Sequence, residues 1–169
     1  MATAQQPYFD CIKRTLHAAI CVTNFPSPAV ERHNKPEVEM KTTPELLGNP
    51  ILICRDDCER TLIEPSVNSV RVSMCFRMSD ATAHIIGEKY VGFLEKRAGS
   101  FHILRRKPVE GYDISFLITN DEAETMHKHK MADFIVELIT HIEKDISEMK
   151  TMINGRAHNV AVEWFNACP

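Results

Sequence analysis

The pair Cys54 and Arg60 has the spacing of the Cys-x5-Arg loop of cysteine phosphatases. That loop binds a phosphate dianion through backbone N–H groups and through the N-terminus of the helix that follows it. The residues between Cys54 and Arg60 include three carboxylates and no glycine, and the residues after Arg60 alternate like a strand. The carboxylates would repel a phosphate, so the spacing is a coincidence and does not predict a phosphatase.

A second group, Cys54 and Cys58 with His127 and His129, has residue types that zinc prefers. Structural zinc sites combine one close pair of ligands with a second close pair. On a helix, His127 and His129 would point about 200° apart, so they could not bind one ion together. The chain also contains no glycine-rich phosphate loop, nucleophile elbow or His-Glu-x-x-His motif. We therefore expect no catalytic residues, no metal ion and no cofactor.

Basic residues form the remaining signal, because Arg105, Arg106 and Lys107 are adjacent at the end of a predicted strand. Arg55 lies in the turn of another predicted hairpin. Such a cluster in an acidic chain can bind an acidic partner surface with a salt-sensitive affinity. On spacing alone the ordinary alternative is favoured, in which solvated charges protect a sheet edge from association.

The composition excludes several classes of protein. The chain has 169 residues, 44% of them hydrophobic and 25% charged, which predicts one soluble globular domain spanning 1–169. Its net charge of −3 indicates neither a nucleic-acid partner nor a membrane surface. Six cysteines without a signal-peptide pattern indicate reduced thiols and a cytoplasmic location.

The elements that must position these residues follow from periodicity. Val70, Val72, Met74 and Phe76 alternate with polar neighbours, which predicts a half-buried strand. Similar patterns predict a first helix along Tyr8–Ala19, strands at Ile51–Cys54 and Arg60–Ile63, a second helix capped by Ser79 and Asp80, and a hairpin of Phe101–Lys107 with Tyr112–Thr119. A short strand is also expected at Val38–Lys41. The fold class is α+β, an antiparallel sheet covered by helices with one long C-terminal helix.

That last helix is predicted over about 120–168, because this stretch lacks proline and has apolar residues at helical spacing. A capping box at Thr119–Glu122 marks its start. The stripe from Met131 to Trp164 would span about 50 Å, whereas a small domain is about 30 Å across. The helix either wraps its own sheet or extends into a partner, and its length favours the partner. The stripe consists of Met131, Ile135, Leu138, Ile142, Ile146, Met149, Ile153, Ala157, Val160 and Trp164.

The segment ILRRKPVEGYDISFLITN at Ile103–Asn120 closely resembles the family of subunit 4 of the actin-related protein 2/3 complex. Further matching segments are VERHNKPEVE at Val30–Glu39, SVNSVRVS at Ser66–Ser73, KHK at Lys128–Lys130 and ISEMK at Ile146–Lys150. With the order of helices and strands, the resemblance covers nearly the whole chain.

The resemblance implies a non-catalytic structural subunit whose long C-terminal helix packs antiparallel against the equivalent helix of subunit 2. The stripe residues Ile135, Leu138, Ile142, Ile146, Met149, Ile153, Val160 and Trp164 are then the expected partner-helix interface. The pair forms the core of a seven-subunit assembly, with two actin-related proteins, that nucleates branched actin filaments. Filament-binding positions of the family correspond here to Arg55, Arg105, Arg106 and Lys150, and Lys107 is added because it is adjacent. The implied location is the cytoplasmic actin cytoskeleton.

This chain also departs from the family pattern. Gly155 replaces the usual alanine in the long helix, which should cost about 1 kcal/mol of helix stability or end the helix early. The segment Trp164–Pro169 differs from the usual charged end. The alternative function is an independent small adaptor of the same fold that binds another helical partner, and co-purification with subunit 2 would distinguish the two.

Overall fold

The computed structural model describes residues 5–22, 35–76, 80–96, 103–105, 107–119 and 128–167. Four helices and four strands occur in these residues: α1 (Gln6–Val22), α2 (Glu37–Met40), β1 (Ile51–Cys54), β2 (Arg60–Pro65), β3 (Ser69–Cys75), α3 (Ala81–Lys96), β4 (Ile114–Thr119) and α4 (Lys128–Ala167). A 3-10 turn at Pro44–Leu46 precedes β1. The predicted α+β class is therefore confirmed.

The strands form one antiparallel sheet in the order β1-β2-β3-β4. Beyond β4, Leu104 forms a single bridge to Phe116, and Arg105 N donates to Ser115 O at 2.9 Å. The predicted hairpin is thus present in a shorter form, while Phe101, His102 and Arg106 lie outside the described residues. Gly111 ends its turn at φ 81°, the left-handed conformation that glycine adopts most readily.

One face of the sheet carries the core. In the observed register, Val72 pairs with Phe116 and with Ile63 on its other side, and all three side chains are buried. Successive residues of a strand point to opposite faces, so Val70, Met74, Ile114 and Ile118 lie on the same side. Helices α1 and α4 cover this face, and Tyr8 of α1 bonds its hydroxyl to Thr61 of β2 at 2.7 Å.

The short strand expected at Val38–Lys41 is wrong, because the structure has the helical turn α2 there. Side chains from the start of β3 fix this turn. Asn68 Oδ1 accepts from Glu37 N at 2.9 Å, and Ser69 Oγ accepts from Val38 N at 3.3 Å. These bonds satisfy the first N–H groups of the turn, which have no partner within the helix itself. Lys41 then ends it in the left-handed conformation.

Helix α3 begins as predicted after Asp80, whose Oδ1 accepts a hydrogen bond from Ala83 N at 2.9 Å. This is an N-cap, which satisfies an N–H group of the first turn. Two contacts then join α3 to α4. Asp80 Oδ2 lies 2.5 Å from Lys150 Nζ, and the Tyr90 hydroxyl donates to Asp145 at 2.6 Å.

Helix α4 runs without interruption through Gly155 to Ala167, so an early end at Gly155 is wrong. Residues 120–122 of the predicted capping box lie outside the described part of the chain. Thr119, its first residue, is the last residue of β4. The 40 residues of α4 span about 60 Å, twice the width of a small domain.

Candidate functional site

The exposed half of α4 is the largest candidate interaction surface. All side chains from Thr151 to Ala167 are exposed, whereas most of the apolar ones before Lys150 are buried. Val160, Trp164 and Phe165 are 65%, 61% and 69% exposed. Large apolar side chains at such exposure, along 17 consecutive residues (151 to 167), form a patch that monomeric proteins rarely present. We call residues 151–167 the arm.

The apolar stripe of the arm continues the buried stripe of α4. At about 100° per residue, Ile153, Ala157, Val160 and Trp164 fall within about 60° of one another. Counted in the same way, the buried side chains of the first half lie on this same side: Met131, Ala132, Ile135, Ile139, Ile142 and Ile146. A partner on the stripe therefore lies end to end with the domain, along one continuous face of the helix.

The structure divides the predicted stripe into two parts. Ile135, Ile142 and Ile146 belong to the core of this domain, and Leu138 and Met149 pack partly against it. Ile139, which the predicted stripe lacked, is fully buried. Ile153, Val160 and Trp164 remain available to a partner. The proposed interface is therefore restricted to the arm.

The boundary between the two parts coincides with the contacts from α3. Tyr90 and Asp80 hold Asp145 and Lys150, and the exposed side chains begin at the next residue, Thr151. Burial, and after it the hydrogen bond from Tyr90 to Asp145, raises the pKa of Tyr90 to about 12. The tyrosine therefore stays a donor at every physiological pH.

The basic residues expected to bind a filament occupy separate places in the structure. Arg55 lies in the β1–β2 turn and pairs with Glu59 at 2.7 Å, and its side chain is 24% exposed. Arg105 lies beside β4, pairs with Glu39 at 2.8 Å and is 41% exposed.

The other basic candidates differ in exposure. Lys150 belongs to α4, pairs with Asp80 and is 24% exposed. Lys107 is exposed near the turn before β4, and Arg106 lies outside the described residues. Arg105 and Lys107 are therefore more exposed than Arg55 and Lys150, although Arg55, Arg105 and Lys150 each form an ion pair within the domain.

The pair Cys54 and Arg60 is accounted for by strand pairing, because these residues are opposite each other in β1 and β2. The Arg60 guanidinium lies over the Tyr112 ring, 5.4 Å from its centroid, and donates to Gly111 O at 3.2 Å. It thus links β2 to the turn before β4. Among the residues that the structure describes, no group of three or more His, Cys, Asp or Glu side chains could hold a metal ion.

Sequence comparison decides the family. Residues 1–167 match the family described as ARP2/3 complex 20 kDa subunit (ARPC4). The chain belongs to this family. It is 53% identical to actin-related protein 2/3 complex subunit 4 of Dictyostelium discoideum over 164 residues, covering 97% of each chain.

Two further relatives give the same result. The probable subunit 4 of Caenorhabditis elegans is 49% identical, with 97% of each chain covered. Subunit 4 of Saccharomyces cerevisiae is 48% identical, with 95% of each covered. The resemblance found in the sequence is confirmed. As a member of this family the chain is a structural subunit of the ARP2/3 complex and not an enzyme.

Periodicity gave no indication that two acids of this ARPC4 member, Glu59 and Glu143, are buried and partly buried respectively. Glu59 is 1% exposed in the β1–β2 turn, and burial raises the pKa of Glu143 on α4 to about 7. A glutamate in an acidic turn and one on a charged helix are ordinarily solvated, so no local pattern could have identified them.

Within the described residues, no helix has the length and hydropathy needed to cross a membrane.

Proposed function

We propose that the arm of α4 pairs with the long helix of subunit 2 inside an actin-nucleating complex, and that this pairing is the assembly function of the chain. The observation that supports it is the continuous exposed stripe of Ile153, Val160 and Trp164. The partners are subunit 2, the remaining subunits with the two actin-related proteins, and the actin filament. The proposed location is the cytoplasm.

The size of the interface can be estimated from the stripe. Burying one large apolar side chain contributes about 1.5–3 kcal/mol, so Ile153, Val160 and Trp164 together contribute about 5–9 kcal/mol gross. Association costs about 4–15 kcal/mol in lost translational and rotational freedom. The stripe of the arm alone therefore gives a weak pair. Stable assembly requires contacts with the rest of the partner as well.

Two single substitutions on the arm test the pairing. Val160→Asp places a carboxylate on the stripe, where a partner helix would desolvate it. Asn159→Asp adds the same charge to the adjacent position, about 100° away from the stripe. Neither residue touches the core, so both variants should keep the helix content and melting temperature of the wild type.

The measurement is co-purification with subunit 2 after co-expression. We expect Val160→Asp to lose most of the partner and Asn159→Asp to retain it. Recovery of subunit 2 by Val160→Asp at the wild-type level would refute the pairing, and equal losses in both variants would show that the stripe is not the contact.

We further propose that the basic residues contact the side of the pre-existing actin filament. The higher exposure of Arg105 and Lys107 supports a main contribution from these two residues, with smaller ones from Arg55 and Lys150. Exposed ion pairs contribute about 0.2–1 kcal/mol each, so two of them together change the affinity by about two- to thirtyfold.

The test is co-sedimentation of the assembled complex with actin filaments. Changing Arg105 and Lys107 together to glutamine should weaken binding about three- to tenfold and reduce its salt dependence. Lys89→Gln, an exposed lysine on α3, is the matched control and should have no effect. Unchanged binding of the double variant at low ionic strength would refute the assignment.

A further inference from the structure

The arm carries very few charges for an exposed helix. Every side chain in it is exposed, and Arg156 and Glu163 are the only Asp, Glu, Lys or Arg residues in it. The positions three and four residues away from each of them hold no opposite charge, so neither can form the usual ion pair along its own helix. They also lie about 10.5 Å apart along the helix axis, too far to bind each other. Both charges are therefore available to a second molecule.

Arg156 and Glu163 lie on one flank of the apolar stripe. At about 100° per residue, they are about 60° and 80° to the same side of Ile153. The four stripe residues of the arm follow one another in steps of four, three and four, which is the a/d spacing that lets two helices pack along a seam. In this heptad pattern Arg156 and Glu163 occupy the two g positions beside the seam.

Two copies of the arm fit together in one antiparallel register. When Ile153 lies opposite Trp164 of a second copy, Ala157 lies opposite its Val160. All four stripe residues of both arms then belong to apolar layers, and each layer joins side chains from both copies. The exposed fractions of Ile153, Val160 and Trp164, 46%, 65% and 61%, show how much apolar surface such layers could cover.

The ends of the arm exclude the neighbouring registers. In the register above, Ala167 of one copy lies level with Lys150 of the other, so each arm ends where the domain of the other copy begins. A shift of seven residues toward the domain would place Trp164 against Ile146, which is buried and 7% exposed. The opposite shift would carry Ile153 past Ala167, where α4 ends, and leave it uncovered.

The same register pairs the charges. A two-fold axis perpendicular to the helices keeps the same flank of both arms on one side of the pair. Arg156 and Glu163 of the second copy then face each other about 3 Å from level, and the symmetry repeats this ion pair. In a parallel pair a g position faces the position five residues on, which for Arg156 is Ala161, and the charges stay unpaired. The apolar layers and the charges therefore select one arrangement independently.

We propose that the arm is also a homodimerisation surface, through which two copies of this chain pair antiparallel along residues 151–167. Each arm is about 25 Å long, so the interface is small and the dimer is reversible. It covers the apolar stripe of copies that have no other partner. The dimer uses the face that the proposed function assigns to subunit 2, so the two partners exclude each other. Only this competition rests on the proposed function.

The experiment is sedimentation equilibrium of the full chain without other subunits. A range of about 1–100 µM covers the affinities of weak, reversible pairs. We expect the wild type to form a dimer and nothing larger. Arg156→Glu turns two attractive pairs into two repulsive ones and should raise the dissociation constant about tenfold. The double variant Arg156→Glu with Glu163→Arg reverses both partners and should restore the wild-type value.

His158→Glu is the matched control, because it adds a carboxylate to the arm about 130° away from the stripe and should leave the dimer intact. If the isolated chain precipitates, two differently tagged copies are co-expressed, and the captured amount of the second copy should follow the same order of variants.

A monomeric wild type, equal effects of Arg156→Glu and His158→Glu, or a double variant that fails to recover would each overturn the proposal. A chain that binds subunit 2 but does not dimerise would refute the dimer and leave the proposed function intact.

Discussion

Replacing Gly155 by alanine should stabilise the arm without touching its partner surface. Gly155 lies inside α4, and a Cβ added there meets no atom within 4 Å. Position 155 is about 200° around the helix from Ile153, so the new methyl group points away from the apolar stripe. The substitution therefore changes helix propensity and nothing in the contacts.

The magnitude follows from helix energetics. Glycine costs about 0.8–1.0 kcal/mol relative to alanine in a helix interior, which is about fivefold in an equilibrium constant. Residues 128–150 of α4, which pack on the domain and which we call the docked half, already provide the helical nucleus. Formation of helix in the arm therefore requires propagation but no new nucleation. An opening that frays from Ala167 reaches Gly155 only after it has passed the last turns. The effect should be confined to openings that include position 155.

Hydrogen exchange of backbone amides can resolve this pattern. We expect exchange at about 152–158 to slow about fivefold in Gly155→Ala, while the terminal turn at 163–167 remains unchanged. Subunit 2 should bind up to about fivefold more tightly, because less of the arm must be ordered on binding.

Gly92→Ala in α3 is the matched control, since a Cβ there also meets no atom within 4 Å. It should stabilise α3 and leave the exchange of the arm as it is. If Gly155→Ala slows exchange equally along the whole arm, or not at all, the arm is not a helix that frays from its free end. The reasoning would then fail.

Three further predictions concern the docked part of the domain and are measured by urea denaturation. Ile142→Ala should lower the free energy of unfolding by about 2–5 kcal/mol because it leaves a cavity, whereas Ile153→Ala on the arm should change it by less than about 0.5 kcal/mol; equal losses would contradict the division of α4. Tyr90→Phe should cost about 1 kcal/mol, since Asp145 loses its donor, and no loss would show that the contact is not formed in solution. The pKa of Asp80 is lowered below 3.8, chiefly by the hydrogen bond from α4. The stability that Asp80 contributes is therefore present above about pH 4 and is lost as the pH falls through the pKa of Asp80 in the folded chain. Asp80→Asn keeps a capping oxygen and should remove this loss of stability at low pH. If the variant loses as much stability as the wild type at low pH, Asp80 is not its source.

Strands and long helices of this chain were predictable because their signal is local. Val70, Val72 and Met74 alternate, and the structure buries all three on one face. The periodicity of α1 worked equally well, since Ile12 and Leu16 face the core at helical spacing. These elements bury one regular face, and the sequence of such an element records that face directly.

The turn α2 was not predictable because its cause is distant in sequence. Residues Val38–Lys41 alternate apolar and charged side chains, a pattern that suits a short strand. The helical conformation depends on Asn68 and Ser69, whose side chains accept hydrogen bonds from the N–H groups of Glu37 and Val38. These two residues are about 30 positions away, so the local sequence pattern does not include them. A tertiary hydrogen bond here outweighs local propensity.

The sequence predicted that the stripe of α4 binds a partner, but it did not predict which part of the stripe is exposed. The stripe of α4 has one period along its whole length, so periodicity cannot show where the domain ends and the arm begins. The ion pairs show the same limit. Arg55 and Lys150 resemble any surface cation in sequence, but their partners Glu59 and Asp80 hold them within the domain.

The contacts at the end of the docked half of α4 together fix how the arm leaves the domain. Tyr90 and Asp80 hold α4 at Asp145 and Lys150, and the buried face fixes the rotation of the helix about its axis. The arm therefore leaves the domain with its stripe already oriented. A partner that binds the stripe also sets the orientation of the sheet and of Arg105, which lies beside β4. An assembly function and a filament contact are thus compatible in one small domain, because one continuous helix joins the arm to the domain that carries the basic residues.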